Sequence, residues 1–506
     1  MGLINDVTKF LRRSDFRGEC ARGGVALGIG SGVERGLRFV KNIILARLLA
    51  PDQFGLIAIV VVISAALEAF AEVGVRQSII HNKKGAEAEY LNVSWWFQTL
   101  RGIVLFIMAF AAAPFISRFY ERPELLPLMR MSFIAIILNG LISPRAYVLE
   151  KNLQFGKSVF LVQGSGLLST FLTIGLAFYI RNVWALVIGL VAEAFIKFLL
   201  SFILCPFRPR FTIHRESLNE LLKFAHGMFG MPILTLLTFR ADVIILGKMV
   251  ITSQLGIYYM ALSLAQIPFE IFDRIVSPVL LPAFAKKQND TTVVRNAVLN
   301  ITRVIALLGL PLMALQILCA GPALALAYPS EYAVAASTFA WMSVYLLTRA
   351  QGIVLGQVFM GLGHPQLHRR FVALRAVLLL AFIYPAVKLM GISGAALVLA
   401  LSSLIALYMQ VVWVGRLINI RFSEYIYRWL PGLQLSLVVL VPVGLLVLFD
   451  IGSDVFKVIA GIILYLGTFA FVFHSLRHHL KELKHESGYE SGTKLETSYD
   501  VETQSV

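Results

Sequence analysis

The sequence predicts an all-α polytopic membrane protein of about 14 transmembrane helices: two parallel six-helix lobes around a central cavity, plus two C-terminal helices. Three observations predict it. The 506 residues are 58% hydrophobic and only 15% charged, with a mean hydropathy of +0.78, whereas soluble domains run at about a quarter charged. Apolar stretches of roughly 20 residues, each long enough to cross a bilayer, follow one another along the chain. Finally, a short stretch near the start returns in the middle. The alternating ten-residue pattern of an outer-membrane barrel is missing.

Taken in order, residues 1–21 are charged and carry no apolar core of a cleaved signal peptide, so insertion is expected to rest on the spans themselves. Spans are predicted at 22–48, 54–78, 91–118, 124–146, 158–180, 182–205, 223–247, 254–284, 291–318, 332–362, 366–388, 391–415, 429–450 and 455–475. With both termini in the cytoplasm, the inner loops hold several times more Lys and Arg than the outer ones, so the net charge of +16 sets topology and calls for no nucleic acid. The expected organisation is an N-terminal lobe over 1–205, a cytoplasmic linker over 206–222, a C-terminal lobe over 223–419, two further helices over 420–475, and a disordered cytoplasmic tail over 476–506. In the linker, Pro206 and Pro209 end the sixth span, and Leu218, Leu221, Leu222 and Ala225 fall at helical spacing, which predicts an amphipathic turn on the membrane interface. Cys20, Cys205 and Cys319 are too scattered for a disulfide framework or a zinc site. His478 and His479 read as a solvated helix exit rather than metal ligands.

The repeat joins IILARLLAPDQFGLI from Ile43 to IILGKMVITSQLGIY from Ile244, a shift of 201. Ile43, Ile44, Leu45, Gln53 and Gly55 return as Ile244, Ile245, Leu246, Gln254 and Gly256, and Arg47 is answered by Lys248. The shift covers an even number of spans, so both copies enter the membrane in the same direction. That predicts lobes related by an axis along the membrane normal, with a path between them.

The first span carries Glu34, Arg35, Arg38 and Lys41, which unpaired would oppose insertion by about 10 kcal/mol. Glu34, Arg38 and Lys41 share one helical face, on which Glu34 reaches Arg38 one turn on. Gly24, Gly28, Gly32 and Gly36 form a second stripe suited to close helix approach. Val33, Leu37, Val40 and Ile44 form an apolar third face. Arg35 stands where a dinucleotide loop needs its third glycine, which excludes that motif. Glu193 with Lys197 and Glu270 with Arg274 read as self-neutralising i,i+4 pairs. Glu68, Glu72, Arg101, Arg130, Asp242, Arg303 and Arg349 lack a partner on their own helix, and Arg240 lies beside Asp242 on a different face. By the shift, Glu72 answers Asp273, and Arg101 falls one residue from the position matching Arg303. Inter-helix ion pairs would account for any one of these, but the surplus of buried cations calls for an anion, and guanidinium suits phosphate or carboxylate. Arg35, Arg38, Lys41, Arg101, Arg240, Arg303 and Arg349 are the candidate substrate contacts. Glu34, Glu68, Glu72, Asp242 and Asp273 are the candidate ion-coupling residues. Pro232, Pro268, Pro278, Pro282, Pro311 and Pro385 are expected to interrupt their spans, as pivots or static kinks.

The stretch LARLLAPDQFGLIAIVVVISAALEAFAEVGVRQSII (45–80), with Glu72, Val73 and Gly74 closing the second span, resembles the polysaccharide transporter family. These are the Wzx-type flippases of the multidrug/oligosaccharidyl-lipid/polysaccharide superfamily. SPRAYVLEKNLQF (143–155) and LPAFAKKQND (281–290) add to the resemblance, which covers about residues 20–420 and looks nearest to the colanic-acid-exporter branch. It implies fourteen helices, alternating access, and an undecaprenyl-diphosphate-linked oligosaccharide carried across the bacterial inner membrane for exopolysaccharide or O-antigen synthesis. Membrane lipids, and the polymerase and chain-length proteins of the same pathway, are the implied partners. No cofactor is implied beyond a coupling H⁺ or Na⁺.

Two rival readings differ in class. An ion-coupled drug antiporter of the same superfamily would favour acidic and aromatic cavity residues over basic ones. A membrane polysaccharide polymerase or ligase would need a large external loop with acid/base groups, whereas the longest predicted external loop is about a dozen residues. No phosphate-binding Walker sequence is present.

Overall fold

The structure is a computed structural model describing residues 16–71, 75–152, 154–211, 214–228 and 240–473. Glu72, Val73 and Gly74, the middle of the predicted seventh span (229–239) with Pro232, and His478 and His479 lie outside the described residues. The helices are α1 (Phe16–Leu48), α2 (Pro51–Ala71), α3 (Val75–His81), α4 (Ala88–Tyr120), α5 (Leu125–Ser132), α6 (Ile134–Gly140), α7 (Arg145–Lys151), α8 (Phe155–Ile180), α9 (Trp184–Leu204) and α10 (Arg215–Met228). They continue with α11 (Ala241–Met249), α12 (Thr252–Ala265), α13 (Ile267–Lys286), α14 (Thr291–Leu318), α15 (Ala320–Ala327), α16 (Ala336–Gly361), α17 (Pro365–Met390), α18 (Ile392–Ile418), α19 (Phe422–Tyr427), α20 (Leu430–Leu448) and α21 (Asp454–Phe473). Among the described residues, nine helices are long and apolar enough to cross a membrane, or eleven if each bent pair is one span.

The bent pairs have local causes. The predicted fourth span arrives as α5 and α6 and then turns through 63° into α7, with Pro144 at the N-cap of α7. Proline disfavours a helical residue before it, so the chain bends there. The predicted eighth span bends by 47° between α12 and α13, where Pro268 opens α13. The other described prolines do not interrupt their helices. Pro278 and Pro282 stay within α13, Pro311 within α14 and Pro385 within α17. At the start of α14, the Asp290 carboxylate accepts the Val293 N–H at 3.1 Å, satisfying an end donor.

Helix packing follows the sequence repeat. α1 packs on α8, α8 on α9 and α4 on α6. In the second half α16 packs on α18, α17 on α18 and α14 on α16, and α20 lies against α14. The halves meet where α2 crosses α12, and there the repeat becomes a contact seen twice. A Cβ on Gly55 would stand 1.9 Å from the Thr252 carbonyl oxygen, and one on Gly256 would stand 1.8 Å from the Pro51 carbonyl oxygen. Thr252 lies 201 residues after Pro51, so each half offers the same surface to the other, as a two-fold requires. Only glycine lets these backbones touch.

Next to this seam the matched cations Arg47 and Lys248 each cross to the opposite half. Arg47 donates to the Leu326 carbonyl at 3.4 Å, and Lys248 pairs with Glu121 at 2.7 Å. Arg122 adds a bond to the Val250 carbonyl at 2.7 Å.

Large apolar side chains cover the outer faces, among them Phe115, Tyr179, Ile203 and Leu389. A continuous apolar surface of this kind suits lipid rather than water. In the linker, α10 buries Leu221 beside Val75, Ile79 and Leu91 and leaves Leu222 turned outward, so the predicted amphipathic turn exists and is docked.

Candidate functional site: a charged cavity between the halves

A cavity of about 410 Å³ lies below the seam, walled by α1, α2, α8, α9, α11, α12 and α13. Its charges come from α1 outward. Arg38 donates through Nε to Glu34 at 2.8 Å and through Nη2 to Glu193 on α9 at 2.7 Å, so one guanidinium ties two carboxylates. Glu34 is 7% exposed, and Gly166 on α8 makes its room: a Cβ there would stand 3.0 Å from Glu34 Oε1 and 3.3 Å from Arg38 Nη2. Arg35 forms an ion pair with Glu270 on α13, joining the two halves. Lys41 and Arg240 line the same cavity, and neither makes a hydrogen bond or ion pair among the described residues. With Arg274, five cations face the three carboxylates, a formal surplus of two. Buried charge of one sign favours a ligand of the other, because a low-dielectric wall screens it weakly.

The cavity gathers some of the predicted residues and leaves others elsewhere. Arg35, Arg38, Lys41 and Arg240 line it, as does Glu34. Arg101 and Glu68 instead line a second pocket inside the first half, where Asn139 donates to Glu68 at 3.1 Å. Arg349 lines a third pocket inside the second half, with its guanidinium 4.4 Å from the Phe269 ring centroid. Arg303 is exposed on α14 and lines none of these three spaces. The near-match of Arg101 with Arg303 therefore does not carry into equivalent surroundings. Asp242 is 4% exposed and accepts a bond from the Tyr258 hydroxyl at 2.7 Å. Asp273 accepts one from Ser277 at 2.5 Å.

Two expectations about pairing are corrected. Glu193 and Glu270 are not simply neutralised along their own helices: Arg38 engages the first and Arg35 the second, both from α1. Lys197, the expected partner of Glu193, faces the pocket inside the first half. The reason is that Arg38 and Arg35 on α1 reach across the cavity to carboxylates on other helices. Glu193 and Glu270 are thus cavity residues that the sequence reading treated as structural. Their only early signal is mid-span placement.

For Gly32 and Gly36 the glycine stripe is corrected as well. A Cβ on Gly32 or Gly36 would meet nothing within 4 Å, whereas one on Gly30 would stand 2.7 Å from Val159. α1 approaches α8 through Gly30, which faces Val159 and Gln163, on a different face from Gly32 and Gly36. Val33 and Val40 are exposed, as an apolar outer face requires.

Two helical halves related by a two-fold, with a charged cavity at their junction, define the architecture of a membrane transporter. The chain belongs to the polysaccharide biosynthesis protein family, whose model matches residues 44–337. Among its relatives, the succinoglycan biosynthesis transport protein ExoT of Rhizobium meliloti is 25% identical over 320 residues, 63% of each chain. The lipopolysaccharide biosynthesis protein WzxC of Escherichia coli is 23% identical over 401 residues, 78% of this chain and 81% of the relative. The teichuronic acid biosynthesis protein TuaB of Bacillus subtilis is 26% identical over 244 residues, 48% of this chain and 50% of the relative. The match thus spans 63% of ExoT and half of TuaB. In fold, the chain is similar to the lipid II flippase MurJ, with a TM-score of 0.72 at 13% identity over 89% of this chain and 99% of that one. It is also similar to an inward-facing multidrug resistance transporter of the MATE family and MOP superfamily, with a TM-score of 0.58 at 14% identity over 76% and 94%. The resemblance drawn from residues 45–80 holds at the level of the family.

Proposed function

We propose that this protein is a flippase that carries an undecaprenyl-diphosphate-linked oligosaccharide across the bacterial inner membrane for exopolysaccharide or O-antigen synthesis. The observation that carries the reading is the pair Lys41 and Arg240. These two cations come from opposite halves, share one cavity, and have no hydrogen bond or ion pair of their own among the described residues. A diphosphate supplies two charged centres for two cations, and its release leaves the cavity ready for the next. The names of the relatives support the substrate class: ExoT is a transport protein of succinoglycan synthesis, and MurJ is a flippase for lipid II.

In this reading the lobes run over 1–205 and 223–419, joined by a linker at 206–222, with both termini cytoplasmic and 14 spans in all. Residues 420–475 add two helices outside the repeat. The polyprenyl chain stays in lipid along α20 and α21, whose outward faces carry Leu437, Val441, Ile463 and Leu466. The seam at Gly55 and Gly256 holds one side shut while substrate loads from the other. The Arg35–Glu270 pair must part as the halves rock. Proton coupling is assigned to Asp242, a buried carboxylate held by one tyrosine hydroxyl, next in sequence but one to Arg240. Glu34, Glu68, Glu72 and Asp273 stand as the secondary coupling candidates. The polymerase and chain-length proteins of the pathway are the proposed partners.

The test is translocation in inverted membrane vesicles charged with a labelled lipid-linked repeat unit. Lys41→Gln with Arg240→Gln should stop movement while leaving full-length protein in the membrane. Normal translocation by that double variant overturns the assignment. Extrusion of a cationic drug with no response to lipid diphosphate favours the antiporter reading instead.

A further inference from the structure

We propose that the groove on the turn joining α18 to α20 is a docking site for the headgroup of an anionic glycerophospholipid. The groove has a volume of about 1020 Å³ and shares no residue with the cavity between the halves. Both α18 and α20 are long and apolar enough to span a membrane, so the turn between them stands at a membrane surface. Arg295 from α14, Arg421 and Arg428 line the groove together with one acid, Glu424. That acid is already engaged, because Arg295 Nη2 donates to both of its carboxylate oxygens, at 2.7 and 2.8 Å. The side chains of Arg421 and Arg428 make no hydrogen bond or ion pair among the described residues, and the groove keeps a formal surplus of two positive charges. The chain leading into it brings no acid either: none occurs from residue 332 to residue 423. Guanidinium groups at a membrane surface attract phosphate headgroups and hold them with paired N–H donors.

The backbone that carries these arginines is fixed at three points. Asn419 takes the left-handed conformation (φ 54°, ψ 45°), and the Ile420 N–H closes on the Gly415 carbonyl at 3.0 Å. A Cβ on Gly415 would collide with the Ile420 carbonyl oxygen, so glycine lets the turn close. Tyr425, buried under α19, donates its hydroxyl to Gln351 Oε1 at 3.2 Å, and Arg295 clamps Glu424 from α14. A headgroup therefore meets a scaffold already in place, and little order is lost on binding. Two exposed apolar tracks lead away from the groove. On α18 the track is Tyr408, Leu404 and Leu401 at helical spacing, with the Phe422 ring of α19 set 5.3 Å from Tyr408. On the other side Ile426 leads into Leu430, Leu433 and Leu437 of α20. Two cations at the head of two apolar tracks match a phosphate that carries two acyl chains, whereas a polyprenyl lipid has one. Exposed Tyr427 lines the groove, as tyrosine does at the headgroup level.

The experiment reconstitutes the full-length protein in phosphatidylcholine vesicles with trace phosphatidylglycerol or phosphatidylcholine bearing a diazirine in one acyl chain, then maps the photolabelled peptides. Labelling of the segment 401–437 by the phosphatidylglycerol probe should exceed that by the phosphatidylcholine probe by about tenfold. Arg421→Gln/Arg428→Gln should bring the two probes level. Arg421→Gln alone, at an exposed position, should shift labelling in the same direction and serves if the double variant does not fold. Arg208→Gln/Arg210→Gln removes the same charge from two exposed arginines elsewhere and should leave the preference unchanged. Equal labelling by the two probes in the parent protein overturns the proposal. So does a preference that survives the loss of Arg421 and Arg428, or one that falls equally with Arg208 and Arg210. If farnesyl diphosphate, with its single prenyl chain, protects the segment better than unlabelled phosphatidylglycerol, the groove receives a polyprenyl lipid and the phospholipid assignment fails. If inorganic phosphate protects it as well as phosphatidylglycerol does, the groove is a free-anion site and the assignment fails too. None of these outcomes depends on translocation, so the carrier reading stands or falls separately.

Discussion

The pocket inside the first half and the pocket inside the second differ in charge: the first mixes acids with bases, and the second has bases alone. In the first half, Glu68 and Glu150 face Arg76, Arg101 and Lys197 in a space of about 320 Å³, and Arg76 donates to Glu150 at 2.8 Å. In the second half the smaller pocket has arginines and a histidine but no acid. The seam between the halves shows the reverse behaviour, since Gly55 and Gly256 make the same contact twice. The lesson is that a two-fold constrains only the surface where the copies must fit each other. Behind that surface each half is free to diverge, and here the divergence is in charge.

The comparison can be broken or sharpened by experiment, beginning with the largest effect. Because Lys41 and Arg240 reach one cavity from opposite halves, Lys41→Gln and Arg240→Gln should each lower translocation by roughly tenfold, and together abolish it. A variant of one half that loses everything while the other loses nothing would place the substrate on one side only; initial rates in vesicles decide this.

Next comes the seam. Gly55→Val and Gly256→Val each force a side chain into a backbone carbonyl, at a cost of about 1–3 kcal/mol. Symmetry predicts that the two costs are about equal, because each side chain meets the matching carbonyl. Denaturation in detergent checks it, and sharply unequal values would break the two-fold reading of the seam.

The bridge between halves should be smaller. Arg35→Gln and Glu270→Gln remove the same half-exposed pair, so each should cost about 1 kcal/mol and the double variant little more than either. Full additivity in that cycle would show that the two side chains are not partners.

The smallest effect is at the exposed rim. Hydrogen bonding and the charge of Lys248 hold the Glu121 carboxyl below its usual range. A depressed carboxylate stabilises the fold above its unfolded-state value, and that contribution is lost as pH falls through the folded value. Because Glu121 is solvent-exposed, Lys248→Gln should lower the melting temperature only slightly at neutral pH, and the difference from the parent protein should vanish in acid.

Much of this was legible in the residues, and the reasons are physical. Bilayer thickness fixes span length, so apolar runs announce themselves without any knowledge of packing. The reciprocal contact at the seam was foreshadowed by Gly55 and Gly256 returning at the same place in each copy. The charges on α1 were visible because lipid makes them expensive. What stayed hidden was partnership. Nothing in the sequence says that Glu193 turns to Arg38 or that Glu270 turns to Arg35. The surroundings of Gly32 and Gly36 were misjudged for the same reason: even spacing looks like a groove, yet it is Gly30 that comes close to α8.

By itself, then, the sequence determined the class and family of the chain, since those follow from local chemistry: hydropathy and a repeated hairpin. Tertiary structure alone decided which charges share a space. It drew Lys41 and Arg240 into one cavity, sent Arg101 and Arg349 into two others, and left Arg303 on the outside. The physical reason is that an ion's partner is set by distance across helices. That distance depends on how neighbouring backbones pack, and it leaves no periodic trace along the chain.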